Sequence, residues 1–333
     1  MACAGPLHAN STRCFARNMI KSLMGWSSPA GAQARLSILI FHRVLPQPDP
    51  LFPGELHALQ FEKTCSWLKE WFNVLPLDEA ARRLVEGGLP ARAAAITFDD
   101  GYADNEEKAL PILQRFGLNA SFFVATGFLD GGRMWNDTLI ESVRGCRADV
   151  LDLCDTVANT LGALPMGTLE LRRQAIRRLI TAIKYLPQPV RDTWVAAVAQ
   201  RSGAQLPDNL MMRSEQVRNL HRAGMRIGGH TVSHPILARV DLGAARREIT
   251  AGREALQAIV DDDVTLFAYP NGKPGDDYPP EAVQMVREAG FKAAVSTAWG
   301  AASAGDDPYQ LPRFTPWDRS RGRFGLRLWR QLL

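Results

Sequence analysis

Short apolar runs alternate with amphipathic helical patterns along most of the chain, and this alternation limits the fold more than any other feature. The runs are residues 36–42, 93–96, 119–126, 225–229, 263–269, 291–296 and 309–314. Between most of them, apolar residues recur every three or four positions, which predicts helices that bury one face. Strands that alternate with helices form parallel sheets with right-handed crossovers. About seven strands in one series favour an α/β barrel over a small open sheet.

One stretch interrupts the alternation. Residues 135–210 carry apolar residues and arginines at helical spacing, with no strand pattern between them. This predicts a helical insertion at about 135–212 that forms a lid or a wall. Residues 1–35 are predicted to be a disordered or loosely packed N-terminal arm, and residues 36–318 a single domain that contains the insertion. The basic amphipathic tail at 319–333 either docks on the body as a terminal helix or lies on an anionic membrane surface. Docking is favoured, because packing explains most such helix faces.

Composition excludes several classes of protein. The chain has 333 residues and a formal charge of +4, which is too small to argue for nucleic-acid binding. Its five cysteines are odd in number and show no Cys-x-x-Cys spacing, so a reduced compartment is predicted. No apolar run has the length of a membrane-spanning helix, and the N-terminal residues do not form a convincing signal peptide. We therefore expect a cytoplasmic protein, in contact with the inner membrane surface if the tail binds there.

Polar side chains follow several of the predicted strands. Asp99 and Asp100 come directly after the run at 93–96, within Thr97–Asn105. Two adjacent carboxylates both stay ionised only if a cation or strong donors face them. The alternative is that one of them caps the next helix or ties a turn at Gly101. In a barrel the carboxyl ends of the strands meet on one face, which would also gather His42, His230, Pro270 and Arg313.

Two histidines, His230 and His234, are four residues apart. On a helical turn this spacing places both imidazoles on one side, where they can bind one ion. Such a pair alone is more often structural. An aspartate from a neighbouring strand end would supply a third ligand. Two histidines and one carboxylate leave coordination positions open for water and substrate, which is typical of a catalytic metal site.

Two motifs in these segments resemble a known family. Residues 97–101 read Thr-Phe-Asp-Asp-Gly, and residues 230–235 read His-Thr-Val-Ser-His-Pro. Together they resemble the first two motifs of the polysaccharide deacetylases, the NodB-homology enzymes of carbohydrate esterase family 4. Residues 267–272 keep the proline and glycine of the third motif. The resemblance covers about residues 36–315 apart from the insertion, and it implies a distorted (β/α)7-type barrel.

The resemblance also implies roles for individual residues. Asp99 would be the general base. Asp100, His230 and His234 would hold a divalent metal, for which Zn²⁺ is the first choice and Co²⁺ or another ion an alternative. The implied reaction is hydrolysis of N-acetyl groups on an amino-sugar-containing glycan, either a polysaccharide such as an exopolysaccharide or a lipid-linked saccharide.

The chain departs from the family pattern at two points. The arginine of the third motif, which orients the base, is replaced by Ala268, and Arg313 could take its place by position. The late Leu-x-His motif is absent, since His234 is the last histidine of the chain. Residues 40–44 resemble the opening motif of a permuted branch similar to the poly-N-acetylglucosamine deacetylases, which implies that His42 is the general acid. The alternative for His42 is a buried structural histidine.

Other residues are candidates for binding substrate. The backbone amide of Tyr102 could stabilise an oxyanion, and Pro270, Asn271 and Trp317 could contact the sugar. Three alternative functions stay open at this point. They are a metal-dependent hydrolase of another acyl or amide group, a non-catalytic carbohydrate-binding protein on the same scaffold, and a membrane-surface scaffold that works through the tail.

Overall fold

A nearly closed ring of parallel strands forms the centre of the molecule. In the computed structural model, which describes residues 19–333, the strands are β1 (Leu36–Phe41), β2 (Asn73–Val74), β3 (Ala93–Phe98), β4 (Ser121–Val124), β5 (Val150–Asp152), β6 (Ala163–Pro165), β7 (Arg226–Gly229), β8 (Leu266–Ala268), β9 (Ala293–Trp299) and β10 (Leu311–Arg313). The ring order is β1, β3, β4, β7, β8, β9 and β10, and β2 pairs with the start of β3. Next to β10, the Phe314 N–H donates to Ile38 O (2.7 Å) and Phe314 O accepts from the Ile40 N–H (3.1 Å). These bonds bring β10 back to β1, and the predicted (β/α)7-type barrel is confirmed.

Helices connect most of the ring strands. They are α1 (19–27), α2 (Ala58–Trp71), α3 (Leu77–Val85), α4 (Leu110–Phe116), α5 (Trp135–Gly145), α6 (Leu169–Ile183), α7 (Gln188–Ser202), α8 (Ser214–Arg222), α9 (Leu242–Val260), α10 (Pro280–Glu288) and α11 (Arg321–Arg330). Every predicted apolar run overlaps one ring strand. Within residues 19–333, no helix combines the length and the apolar character needed to cross a bilayer.

Alternate residues of the ring strands pack on opposite faces. Ile38, Ala95 and Val295 belong to a cluster that fills the barrel and is closed at one end by α3. Their neighbours Leu39, Ile96 and Ala294 belong to a second cluster, between the strands and the surrounding helices. Because successive strand residues face opposite sides, a residue two positions after an inward residue is also directed inward. This periodicity directs Asp99, which follows β3, and Arg313, which ends β10, into the mouth of the barrel.

The predicted insertion is a compact unit beside the barrel mouth. It contains α5, α6 and α7, and it has its own apolar cluster, which includes Leu139, Leu164 and Val198. The prediction of helices alone was wrong, because β5 and β6 pair as a short antiparallel sheet. Each strand has only three residues, too few to produce a recognisable period. The side chain of Arg173 donates to Leu51 O (2.8 Å) and Pro50 O (2.7 Å), which holds the insertion against the loop between β1 and α2.

Both ends of the described chain pack on the body. Of the predicted N-terminal arm, residues 1–18 lie outside the described residues, whereas residues 19–27 form α1 with Met24 fully buried. In the predicted tail, α11 buries Phe324 and Leu328, and the Phe324 ring centre lies 5.6 Å from that of Trp67. The apolar face of the tail is therefore covered by the body, which is the docked arrangement favoured above.

Candidate active site

Asp99 and Arg313 form a buried ion pair at the mouth of the barrel. Asp99 follows β3, Arg313 ends β10, and both face inward. The guanidinium donates two parallel hydrogen bonds to the carboxylate, both of 2.7 Å, and a third of 2.8 Å to Ser296 O. The side chains are only 4% and 0% exposed. Arg313 thus holds the Asp99 carboxylate in one orientation, as the position of the two residues at strand ends predicts.

Asp100, His230 and His234 form a second cluster beside this pair. The Nε2 atoms of His230 and His234 lie 3.5 Å and 3.4 Å from the same Oδ1 of Asp100. The Nδ1–H of His230 donates to Ala268 O at 2.7 Å, which leaves Nε2 directed at the cluster. The three ligand atoms lie within 4.8 Å of one another. Both aspartates therefore face partners across the barrel mouth rather than the helix that follows them.

A tight loop, and not a helical turn, brings the two histidines together. The expectation of a helical turn at 230–234 was wrong, since Thr231 and His234 have φ of 65° and 53°. Glu248 of α9 holds this loop, because its carboxylate accepts from the backbone N–H groups of Val232 (2.9 Å) and Ser233 (2.8 Å) and from the Ser233 hydroxyl (2.7 Å). Carboxylate bonds to backbone N–H groups are charge-assisted and strong. They offset part of the cost of the left-handed residues.

The turn after β3 is strained in the same way. Asp100 has φ of 77° and Gly101 has φ of 91°. A side chain at Gly101 would place its Cβ 3.0 Å from Cγ1 of Val124, so both the backbone angle and the space favour glycine. The turn is what directs Asp99 and Asp100 to different partners.

Charges and burial decide the protonation states of the cluster. Burial raises the pKa of Asp99, but the Arg313 guanidinium and His230 outweigh it and hold that pKa below its usual value. The pKa of Asp100 is lowered as well, against burial, by its hydrogen bond to His230 and the charge of His234. Burial lowers the pKa of His234 to about 4. Burial opposes but does not prevent a raised pKa for His230, whose hydrogen bond to Asp100 favours the charged ring. At neutral pH both carboxylates are ionised and His234 has a free lone pair.

His42 lies at the edge of this site. Its side chain is exposed, so the alternative of a buried structural histidine is wrong. It lines a cavity of about 330 Å³ together with Asp100, Tyr102 and Asp137. The His42 carbonyl accepts from the Asn105 side chain at 2.8 Å, which fixes the backbone and leaves the imidazole free to face the cavity.

A buried group that the sequence did not reveal stands in this cavity. The Tyr102 hydroxyl lies 3.2 Å and 3.1 Å from the two carboxylate oxygens of Asp137, a residue of α5. Burial raises the pKa of Asp137 to about 7, against the lowering effect of Arg43. Arg43 also lies over the Tyr102 ring, 4.6 Å from its centre. Asp137 comes from the insertion, where local sequence carries no sign of its contact with the barrel.

The remaining predicted residues do not all line the same cavity as Asp100 and His234. Asn271, with φ of 59°, lines a small cavity with Asp100 and His234. Pro270 is buried, and its carbonyl accepts from the Gly272 N–H. Trp317 is 74% exposed and shares a separate cavity with His42. Among residues 19–333, none accepts a hydrogen bond from the Tyr102 backbone N–H.

The residues present fit a divalent ion. Two imidazole nitrogens and one carboxylate oxygen suit Zn²⁺ and several other first-row ions. The Nδ1–H of His230 donates to Ala268 O, and metal-binding histidines usually make such a hydrogen bond through the ring nitrogen that does not bind the metal. Asp99 lies beside this set and is bonded to Arg313, so one carboxylate is available for proton transfer while the other faces the imidazoles.

Comparison with solved structures shows that the fold is shared. IcaB from Ammonifex degensii is 17% identical, with a TM-score of 0.58 over 91% of this chain and 98% of that one. The Streptococcus pyogenes deacetylase PplD, solved in complex with acetate, is 19% identical, with a TM-score of 0.56 over 85% and 92% of the two chains. A de-N-acetylase from Aggregatibacter actinomycetemcomitans is 15% identical, with a TM-score of 0.56 over 89% and 99%.

Comparison of sequences identifies the family. The Bacillus subtilis (strain 168) protein YxkH, which is assigned to the polysaccharide deacetylases by name, is 20% identical over 282 residues, or 84% of this chain and 71% of YxkH. The family model described as Polysaccharide deacetylase matches residues 86–148 and 192–294. The gap between the two matched segments falls inside the insertion, and the matched parts contain both motifs of the site. The chain therefore belongs to the polysaccharide deacetylase family, whose chemistry is carbohydrate deacetylation.

Proposed function

We propose that this protein is a metal-dependent hydrolase that removes N-acetyl groups from an amino-sugar-containing glycan. One observation carries the proposal. A buried, ionised Asp99 held by Arg313 stands beside three side chains that suit a divalent ion, Asp100, His230 and His234. A carbohydrate-binding protein without catalysis would have no use for this combination of base and ligand set.

Asp100, His230 and His234 would hold the ion, which when bound would polarise the acetyl carbonyl and make a water molecule more acidic. Asp99 would take the proton from that water, for which it must be ionised at neutral pH. Its lowered pKa meets this condition. Arg313 keeps both oxygens of Asp99 in one orientation, and positioning of a catalytic group in this way can lower the activation barrier substantially.

His42 would supply the proton that the departing amine needs. Its exposed imidazole borders the same cavity as Asp100. The backbone N–H of Tyr102, which has no acceptor among residues 19–333, would donate to the developing oxyanion.

The test is release of acetate from N-acetylated glucosamine oligosaccharides, with the free amine measured in parallel. Wild-type protein should release both products in equal amounts, lose activity with a chelator and regain it with Zn²⁺. Asp99→Asn should lower the rate by a factor of about 10²–10⁴. The control Asp155→Asn changes the same type of side chain at an exposed site of the insertion, and it should stay active. Binding of the oligosaccharides without any acetate release would instead support the non-catalytic alternative, and release from O-acetyl esters alone would change the substrate.

A further inference from the structure

A small cavity of about 200 Å³ connects the Asp/His/His cluster with the insertion. Asp100, His234 and Asn271 line it from the barrel. Trp135, Lys184 and Arg191 line it from α5, the end of α6 and the first turn of α7. Asp100 is the one carboxylate among the lining residues, and it is directed at the two histidines. The insertion side of the cavity therefore carries positive charge.

Arg191 is buried, and the residues in 19–333 compensate its charge only weakly. It is only 9% exposed, and its Nε is shielded from solvent with no hydrogen-bond acceptor. The nearest carboxylate among residues 19–333 is that of Asp192, 3.9 Å from Nε and itself 58% exposed. The guanidinium carbon lies 5.5 Å from the centre of the Trp135 ring. Aromatic contact of this kind orients the plane of an arginine but accepts no hydrogen bond of ordinary strength.

Arg313 has hydrogen-bond acceptors of a kind that Arg191 lacks among residues 19–333. Arg313 is also buried, and its guanidinium has acceptors in Asp99, Ser296 and Thr97. A buried charge without acceptors is costly, so buried arginines are normally paired. Burial lowers the pKa of Arg191, and Asp192 offsets only part of that effect. Arg191 also lies in the first turn of α7, which contains no acidic residue and whose N–H groups add positive potential.

We propose that Arg191 and Lys184 form an anion-binding subsite, which takes a carboxylate or phosphate group carried by the sugar substrate. The inference rests on the proposed function, since it adds a negative charge to the N-acetylated sugar that the cluster would act on. A guanidinium matches the two oxygens of either group with two parallel hydrogen bonds. Lys184 adds a second, more flexible positive charge on the same cavity wall.

Binding by calorimetry tests the subsite without any need for turnover. The probes are N-acetylglucosamine 1-phosphate, N-acetylglucosaminuronic acid and neutral N-acetylglucosamine, added to Zn²⁺-loaded protein. At least one anionic probe should bind wild type more tightly than the neutral one. Arg191→Gln should weaken that probe by about tenfold to a hundredfold, the usual worth of hydrogen bonds to a charged group, and leave the neutral sugar unchanged. The phosphate and carboxylate probes distinguish the two sources of charge.

The matched control is Arg178→Gln, which removes the same charge from an exposed position of α6 and should bind all three probes like wild type. Any attraction of anions by the bound ion itself is the same in both variants, so the difference between them reports on Arg191. If Arg191→Gln binds both anionic probes as wild type does, the inference is wrong.

A stability measurement separates a ligand-binding Arg191 from a structural one. Arg191→Met should melt at the same temperature as wild type or above it, because it removes a buried charge whose nearest carboxylate, on the exposed Asp192, is 3.9 Å away. The anionic probe should raise the melting temperature of wild type and not that of the variant. A lower melting temperature with an unchanged response to the probe would show a structural role and overturn the inference.

The two proposals fail in different ways. Anion binding that depends on Arg191, without release of acetate from any sugar, would overturn the proposed function and leave the subsite. Release of acetate from neutral and anionic sugars alike, with no effect of Arg191→Gln on either, would overturn the subsite and leave the proposed function.

Discussion

Replacing Arg313 by methionine should destabilise the protein strongly, and only because Asp99 is charged. The pair is almost completely buried, and both carboxylate oxygens depend on the guanidinium. Removal of one partner of such a pair leaves an uncompensated buried charge, which costs about 3–5 kcal/mol. The free energy of unfolding from urea titrations at pH 7 measures this loss.

Asp99→Asn supplies the control for the same prediction. In the Asp99→Asn variant, Arg313→Met leaves no unpaired buried carboxylate. The substitution should therefore lower the free energy of unfolding by less, with a coupling energy of about 2–3 kcal/mol between the two substitutions. Additive effects of the two substitutions would refute the view that Arg313 acts by pairing with Asp99.

The pH dependence gives a second test of the pair. In wild type the pKa of Asp99 is lowered. Its contribution to stability is therefore complete above the ordinary aspartate pKa of about 3.9 and is lost as the pH falls through the lower folded-state value. In Arg313→Met, burial is no longer opposed by the arginine, so the pKa of Asp99 rises. The carboxylate then takes up a proton as the pH falls from 7 towards 5, and the difference between variant and wild type should shrink. A loss that is equal at both pH values would contradict this account.

Three further predictions concern the site. Asp99→Asn should keep its bound metal, measured by elemental analysis, and lose acetate-release rate by about 10²–10⁴; unchanged activity would remove Asp99 from the role of base. His42→Ala should lower the rate of acetate release by about 10²–10⁴, since the departing amine would then lack a general acid, and an unchanged rate would leave His42 without that role. Glu248→Ala should weaken Zn²⁺ binding by about 10–100-fold in competition with a chelator, because it frees the loop at 230–234. The exposed Glu254 of the same helix provides the control, and equal affinities of the two variants would show that the loop holds its shape without Glu248.

Much of the fold follows from patterns that neighbouring residues set. The apolar runs at 36–42 and 93–96 became strands buried on both faces, because parallel strands inside a barrel have no solvent side. The strands β5 and β6 of the insertion were not predicted, because a strand of three residues is too short to show the alternation of apolar and polar residues. The loop at 230–234 was misjudged for a related reason. Four-residue spacing has the same letters in a helix and in a loop with left-handed residues.

The sequence identified some residues of the candidate site and not others. Asp99, Asp100 and the two histidines belong to short motifs and could be chosen from the sequence alone, and Arg313 could be chosen from its place at a strand end. The charged residues that surround them could not be chosen from the sequence. Glu248, Asp137 and Arg191 lie on helices, where charged residues are common and most face solvent.

By itself, the sequence determined the order of strands and helices and the chemical identity of the residues at the strand ends, because periodicity and short motifs depend on nearby residues. Only the tertiary structure decided which of those residues meet. Arg313 reaches Asp99 across 214 positions of the chain, and the insertion brings Arg191 to the cavity beside Asp100. Such contacts depend on closure of the ring and on packing between distant elements, and neither leaves a mark on the local pattern.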